Sequence, residues 1–182
     1  MKKIAIAFFF VLLISGLNLH AQKAVSGEQH GRTLNTGFGM SYYAYVGKSI
    51  PVASINYEFN SVRNFTMAPF FCVYAYDKAY NYLGNYNYHE FVIPFGVKGT
   101  YYFDSLLNAG HRWDFYLAGS LGYSIAYSQW DEGYTGRKDV YEGAYPVFYE
   151  IHIGTEYRFT EDIGIYIDAS SGASTLGLAI HF

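Results

Sequence analysis

Residues 153–182 read IGTEYRFTEDIGIYIDASSGASTLGLAIHF, and this stretch decides the fold class. It contains three strand-like runs separated by two short polar breaks. Successive residues of a strand point to opposite faces. In the last run, one face is apolar: Leu176, Leu178, Ile180 and Phe182. The residues between them are small or polar: Gly177, Ala179 and His181. Such a strand is typical of a closed barrel whose apolar side meets lipid.

The same two-residue period recurs upstream and predicts about eight strands of roughly ten residues between positions 36 and 182. The clearest example is the run 113–128. One of its faces carries Phe115, Leu117, Leu121, Tyr123, Ile125 and Tyr127. The other carries Asp114, Tyr116, Ser120, Gly122, Ser124 and Ser128. The run 65–76 is apolar on both faces, so the pattern does not fix its register. An even number of strands of this length predicts an all-β, antiparallel, up-and-down transmembrane β-barrel, which leaves no unpaired strand edge in lipid.

The composition agrees with a membrane barrel, because aromatic residues make up 21% of the chain and charged residues only 15%. Two groups of aromatic residues flank the connections between strands, which predicts one belt at each membrane surface. The first group is Phe59, Phe65, Phe103, Trp113, Phe159 and Phe182. The second group is Tyr45, Tyr76, Tyr88, Tyr127, Trp130 and Tyr145. The terminal Phe182 resembles the C-terminal signature of outer-membrane β-barrels, and this resemblance implies that the first group lies on the periplasmic side.

The N-terminus predicts export. Residues 1–21 carry two lysines, then an apolar run over 4–14, and end on Ala21, which is the pattern of a cleaved secretory signal peptide. A membrane-anchor helix is the alternative, but the apolar run is shorter than the ~20 residues that a bilayer needs. We expect residues 22–35 to be a flexible leader and residues 36–182 to be the barrel domain. The expected location is the outer membrane of a Gram-negative bacterium.

The polar strand faces of a barrel in lipid point into the lumen. Charged and histidine residues predicted there are Glu58, Glu90, Lys98, Asp114, Glu150, His152, Glu156, Arg158, Asp168 and His181. An eight-stranded barrel is just wide enough to be filled by side chains, and an unpaired buried charge is strongly unfavourable. We therefore predict a charged network that plugs the lumen. A proton or solute path is the alternative.

Catalytic and cofactor motifs are weak. Residues 118–122 nearly match the nucleophile elbow G-x-S-x-G, but that motif needs a strand–turn–helix context and Ser120 is in mid-strand. His152 and Glu150 share a face, and a serine close to them in space could complete a triad. The chain shows no Cys/His cluster with metal-ligand spacing and no glycine-rich phosphate loop. The sequence thus predicts a non-enzymatic protein with no catalytic residue, cofactor or metal.

The expected outer loops are a second candidate site. Aromatic residues cluster in two of them: Tyr80, Tyr82, Tyr86, Trp130 and Tyr134. Exposed aromatic side chains bind sugars or proteins. The alternative is that they extend the aromatic belt. The lone Cys72 excludes an internal disulfide, and a net charge of −3 disfavours a nucleic-acid partner.

Residues 36–182 resemble the small eight-stranded outer-membrane β-barrel family that includes the OmpA transmembrane domain and OmpX. The resemblance lies in the strand number, the alternation, the short turns and the terminal Ala-Ile-His-Phe at 179–182. It implies insertion by the outer-membrane barrel assembly machinery, with Phe182 in the assembly signal, and contact with outer-membrane lipid and lipopolysaccharide. It also implies a role in envelope integrity, adhesion or binding of an extracellular ligand.

Two alternatives remain open at this point. The first is a lipid A-modifying enzyme similar to the outer-membrane deacylases. Their His-x-Ser signature would fall at 152–154, where this chain has His-Ile-Gly and lacks the serine. The second is a soluble lipocalin-like carrier, which has the same period with the apolar face inward. Charged residues opposite the apolar faces disfavour it.

Overall fold

The computed structural model shows a closed antiparallel barrel of eight strands, in which each strand pairs with its sequence neighbours and β1 pairs with β8. The structure describes residues 32–43, 48–62, 64–80, 86–107, 110–133 and 146–182. The strands are β1 (Arg32–Tyr43), β2 (Lys48–Val62), β3 (Phe65–Tyr80), β4 (Tyr86–Tyr102), β5 (Trp113–Trp130), β6 (Val147–Arg158), β7 (Ile163–Ser170) and β8 (Ala173–His181). A short helix, α1 (Asp104–Leu107), lies between β4 and β5. The predicted fold class is confirmed.

The start of the barrel differs from the expectation. The strand β1 begins at Arg32, so residues 32–35 of the expected leader belong to the barrel. Their backbone pairs with β2 and β8 on both sides. The expected signal peptide and residues 22–31 lie outside the described residues. Among the described residues, no helix is long and apolar enough to cross a membrane.

The two faces of each strand have opposite chemistry. Large apolar side chains cover the outside, among them Phe38 (76% exposed) and Leu121 (65% exposed). On β8, Leu176 and Leu178 are about half exposed, whereas Ala179 between the outward residues is fully buried. The apolar face is therefore the outer face, as predicted for a barrel in lipid, and a lipocalin-like carrier would show the reverse.

The register of β3, which the sequence pattern left open, places Phe70, Tyr74 and Tyr76 in the interior. The assignment of Tyr76 and Tyr88 to the outer aromatic belt was wrong, because both side chains are buried. Both hydroxyls donate hydrogen bonds to Oε2 of the buried Glu90, at 2.7 and 2.8 Å. Both tyrosines point inward because a buried carboxylate is unfavourable unless it accepts hydrogen bonds. Tyr45 and Tyr145 of the same expected belt lie outside the described residues.

The strand pairing is interrupted on both sides of β3, at prolines. Between β2 and β3, the paired positions stop at Asn56–Phe70 and resume at Phe59–Met67. Pro69 lies in this gap. Between β3 and β4, the paired positions stop at Phe71 with Phe95 and resume at Tyr74 with Val92. Pro94 lies in that gap. A proline has no N–H to donate to the neighbouring strand, so each proline leaves a weak seam in the barrel wall.

Candidate functional site

The interior of the barrel holds the residues that the sequence predicts for the lumen. Eight of them are buried: Glu58, Glu90, Lys98, Asp114, Glu150, His152, Glu156 and Asp168. Arg158 and His181 are partly buried at the end of the barrel where β6 and β8 end, which is the expected periplasmic end. These side chains form four groups, and each group is held together by contacts between strands.

The central group lies about halfway along the barrel. Lys98 Nζ lies 2.7 Å from Asp168 Oδ2, and the Tyr116 hydroxyl donates to the same oxygen at 3.0 Å. The other carboxylate oxygen, Oδ1, lies 2.8 Å from His152 Nδ1. The second ring nitrogen, Nε2, lies 2.8 Å from Ser120 Oγ. Asp168 is therefore bonded by three side chains from three other strands.

Glu150 borders this central group toward the outer end of the barrel. Its Oε2 lies 3.6 Å from His152 Nε2 and accepts a hydrogen bond from Ser170 Oγ at 3.1 Å. The backbone N–H of Gly172 in turn donates to Ser170 Oγ at 3.1 Å. The group thus extends from the middle of the lumen to the β7–β8 turn.

A second group closes the expected periplasmic end. Asp114 Oδ2 lies 2.6 Å from Arg158 Nη2 and accepts from Nε at 2.8 Å, so two guanidinium nitrogens share one carboxylate oxygen. Glu156 Oε1 lies 2.6 Å from His181 Nε2. The other ring nitrogen of His181 lies 3.0 Å from Thr33 Oγ1. This group joins β1, β5, β6 and β8.

Two glutamates form the remaining groups with neutral donors. Glu58 accepts hydrogen bonds from Asn35 Nδ2 at 2.9 Å, Thr66 Oγ1 at 2.6 Å and the Tyr102 hydroxyl at 2.7 Å. Glu90 accepts from the two tyrosines described above. The sequence reasoning named the charged residues but missed these donors. The sequence pattern of one strand does not predict which carboxylate of another strand a Tyr or Thr side chain will contact.

A polar group also lies at the outer end of the wall. His89 Nδ1 lies 2.6 Å from Asp77 Oδ1, and Nε2 lies 2.9 Å from Asp131 Oδ1. Asp131 Oδ2 accepts from the Asn87 backbone N–H at 2.8 Å. His89 faces outward two residues beyond Phe91, whose paired residue in β5 is Tyr127. Phe91 and Tyr127 are exposed aromatic side chains on the outside of the barrel. We therefore place the membrane surface at this end of the barrel near them, and His89 beyond that surface.

Trp130, which the sequence placed in an outer loop, is the last residue of β5 and packs on Tyr88 of β4 with ring centroids 5.0 Å apart. Tyr80 and Tyr86 are paired at the ends of β3 and β4, but their side chains are outside the described part. Tyr82 and Tyr134 lie outside the described residues. Phe182 is 75% exposed, and its backbone N–H donates to Arg32 O at 2.9 Å. Within the described ranges, no group of three His, Cys, Asp or Glu residues is arranged to hold a metal ion.

Comparison with known proteins identifies the fold. No family model matches the sequence, and no curated protein matches it. The attachment invasion locus protein Ail of Yersinia pestis, crystallised with the heparin analogue sucrose octasulfate, superposes with a TM-score of 0.53 at 9% identity, over 85% of this chain and all of that one. Neisserial surface protein A has a TM-score of 0.48 at 10% identity, over 83% of this chain and 96% of that chain. The N-terminal barrel domain of Pseudomonas aeruginosa OprF has a TM-score of 0.41 at 15% identity, over 84% of this chain and 97% of that chain.

The chain has the fold of the small eight-stranded outer-membrane barrels. The superposition with Ail and the closed eight-strand topology together support this statement. The resemblance expected from the sequence is confirmed at the level of the fold.

Proposed function

We propose that this chain is an integral outer-membrane β-barrel protein whose outer loops bind an extracellular ligand or partner and whose lumen is plugged by its own side chains. The observation that carries the proposal is the distribution of polarity. Apolar side chains such as Phe38 and Leu121 are exposed around the outside, whereas Lys98 and Asp168 are buried at the centre. This arrangement is stable in lipid and unfavourable in water.

The plug is supported by the contacts that cross the lumen. The cavity beside Ser120 has a volume of about 40 Å³. A water molecule needs about 10–15 Å³ of such space, so the cavity holds only a few waters. We expect no steady conductance when the purified protein is inserted in a planar lipid bilayer. Stepwise conductance at neutral pH would contradict the plug and favour a solute path.

Surface binding is supported by the aromatic residues that the sequence carries between β3 and β4 and between β5 and β6. Ail, which shares the fold, was crystallised with a heparin analogue, so a sulfated glycan is one ligand to test on this chain. Cells displaying the protein should be retained on one of a panel of glycan- or protein-coated surfaces, and deletion of residues 134–144 should abolish the retention. Retention that survives deletion of both this loop and residues 81–85 would contradict loop-mediated binding. If no coating retains the cells, increased detergent sensitivity of cells lacking the protein would support the envelope role instead.

Export and assembly are proposals from the sequence. We infer cleavage after Ala21, insertion by the outer-membrane barrel assembly machinery and contact with outer-membrane lipid and lipopolysaccharide. Mass spectrometry of the mature protein should find Gln22 at the N-terminus. Deletion of Phe182 should reduce the folded protein in the outer membrane without changing its synthesis.

A further inference from the structure

Three side chains of the central group are arranged as a serine nucleophile, a general base and an orienting carboxylate. Ser120 lies in β5, His152 in β6 and Asp168 in β7, and the two distances between functional atoms are both 2.8 Å. This is the order of contacts in a Ser-His-Asp triad, which is recognised by geometry and roles, not by chain order. We propose that Ser120 is a catalytic nucleophile, activated by His152 and Asp168, that cleaves acyl esters of membrane lipids. This activity goes beyond the proposed binding role and departs from the non-enzymatic prediction.

The hydrogen bonds set the protonation pattern that such a serine needs. When neutral His152 donates its Nδ1–H to Asp168, its Nε2 carries the lone pair and accepts the Ser120 proton. Asp168 is itself held on its other oxygen by Lys98 and Tyr116. The imidazole is therefore oriented by a carboxylate that cannot swing away without breaking two further bonds.

A cavity lies in front of this serine. Ser120, His152 and Lys98 line one side of it, and Ser54, Asn56 and Phe70 of β2 and β3 line another. Ile55, whose side chain is on the outer face, also borders it, so the cavity reaches the barrel wall.

The strand pairing of the wall is interrupted at this place. The last paired positions before the gap between β2 and β3 are Asn56 and Phe70, both of which line the cavity. The outer surface of the seam meets lipid. The cavity is too small for a whole lipid, so we place only the ester carbonyl inside, with its acyl chain left in the membrane as the seam opens.

The reaction balances with water as the second substrate. Ser120 Oγ forms a bond to the ester carbonyl carbon, and its proton passes to His152 Nε2. The ester C–O bond breaks, and the leaving alcohol takes that proton. Water then attacks the acyl-serine with His152 as base, which releases a fatty acid and restores the serine. Lys98, the cross-strand partner of Ser120, supplies positive charge close to the developing oxyanion.

The first test uses an alkyl fluorophosphonate, which phosphonylates activated serines and releases fluoride. We expect the full-length barrel in lipid vesicles to be labelled on one peptide, the one that contains Ser120. Ser120→Ala should abolish labelling and His152→Asn should slow it by about 100-fold or more. Ser124→Ala, on the same face of β5, is the matched control and should label as the wild type. Each variant is first checked for folding by its mobility on unboiled gels. An unlabelled wild type, or labelling that survives Ser120→Ala, would overturn the proposal.

The route through the wall has its own test. Pro69→Val restores a backbone N–H at the seam and should slow labelling severalfold. Pro51→Val is the matched control, because Pro51 lies in β2, away from the seam, and the pairing of β2 with β1 is unbroken there. Equal rates in the Pro69→Val variant and the wild type would contradict lateral access.

The ester source is tested with the wild type in vesicles of phosphatidylethanolamine and phosphatidylglycerol, with and without lipopolysaccharide. Release of fatty acid in the first set assigns phospholipid as the substrate, and release only in the second assigns lipid A. No release in either set, with Ser120 labelled, would overturn lipid ester cleavage while leaving the barrel and its binding role untouched.

Discussion

His89 is the residue whose state depends most directly on pH at the outer end. The pKa of His89 is raised above its ordinary value, first by the hydrogen bond to Asp131 and next by that to Asp77. A neutral imidazole has a single N–H, so both bonds are made only by the imidazolium. Because the folded-state pKa is raised, this contact is fully present below about 6.5, the ordinary pKa of histidine, and is lost as the pH rises through the higher folded value.

Asp131→Asn should therefore lower the pKa of His89 toward its ordinary value. The titration is followed by NMR of the ring carbons in detergent-solubilised protein. Glu132→Gln removes a neighbouring carboxylate and serves as the control, with a smaller expected change. An unchanged His89 pKa in Asp131→Asn would contradict the assigned contact.

Lys98 tests the ion pair at the centre of the lumen. Lys98→Met leaves Asp168 without its cation in a buried site, and loss of one partner of a buried pair typically costs about 3–5 kcal/mol. We expect that loss in the free energy of unfolding, measured by urea titration in lipid vesicles. The double variant Lys98→Met/Asp168→Asn should lose less than the sum of the single variants. A change within about 0.5 kcal/mol for Lys98→Met would show that the pair contributes little.

Gly154 tests the packing around the same group. A methyl group at this position would overlap the Tyr116 ring, whose hydroxyl donates to Asp168. Gly154→Ala should thus destabilise the barrel by about 1–3 kcal/mol, the usual range for overpacking. At Gly119 in the adjacent strand, a methyl group would meet only a carbonyl oxygen at 4.0 Å, so Gly119→Ala is the control. Equal stability of the two variants would contradict the contact between the Tyr116 ring and Gly154.

At the scale of the strand, β8 tests whether the outer face lies in lipid. Leu178 is 49% exposed and lies in the middle of β8. Lysine on the lipid face costs about 2–4 kcal/mol at the midplane and much less near the surfaces. Leu178→Lys should therefore lower the free energy of unfolding in vesicles by that amount. Glu161→Lys, in the β6–β7 turn, should be near neutral, and an equally small effect at Leu178 would contradict a lipid-facing β8.

The strands also show how far the sequence could predict the structure. The alternation of β5 and β8 was strong enough to predict their faces, and the alternation of β4 and β7 likewise predicted the burial of Lys98 and Asp168. The pattern failed where both faces are apolar, as in β3, and where a tyrosine faces inward, as at Tyr76. It could not predict that Ser120, His152 and Asp168 meet. That contact depends on the relative stagger of three strands, which closure of the barrel sets and local periodicity does not.

At the scale of the whole molecule, the barrel places its charges where lipid cannot reach them. The ion pair Lys98–Asp168 joins β4 to β7 across the lumen, Arg158–Asp114 joins the adjacent strands β5 and β6, and neutral donors satisfy Glu58 and Glu90. A network of this kind stabilises the fold only while every member keeps its partners. The same closely packed interior explains why we expect no open channel and why access to Ser120 must come through the wall.

The measurement that tests the central claim most directly is the gel mobility of the protein in the isolated outer-membrane fraction, unboiled and boiled. A closed barrel in lipid resists detergent at room temperature and unfolds on boiling. We predict that the protein is found in this fraction and that its band shifts on boiling. A band that does not shift, from protein recovered in the soluble periplasmic fraction, would contradict the account.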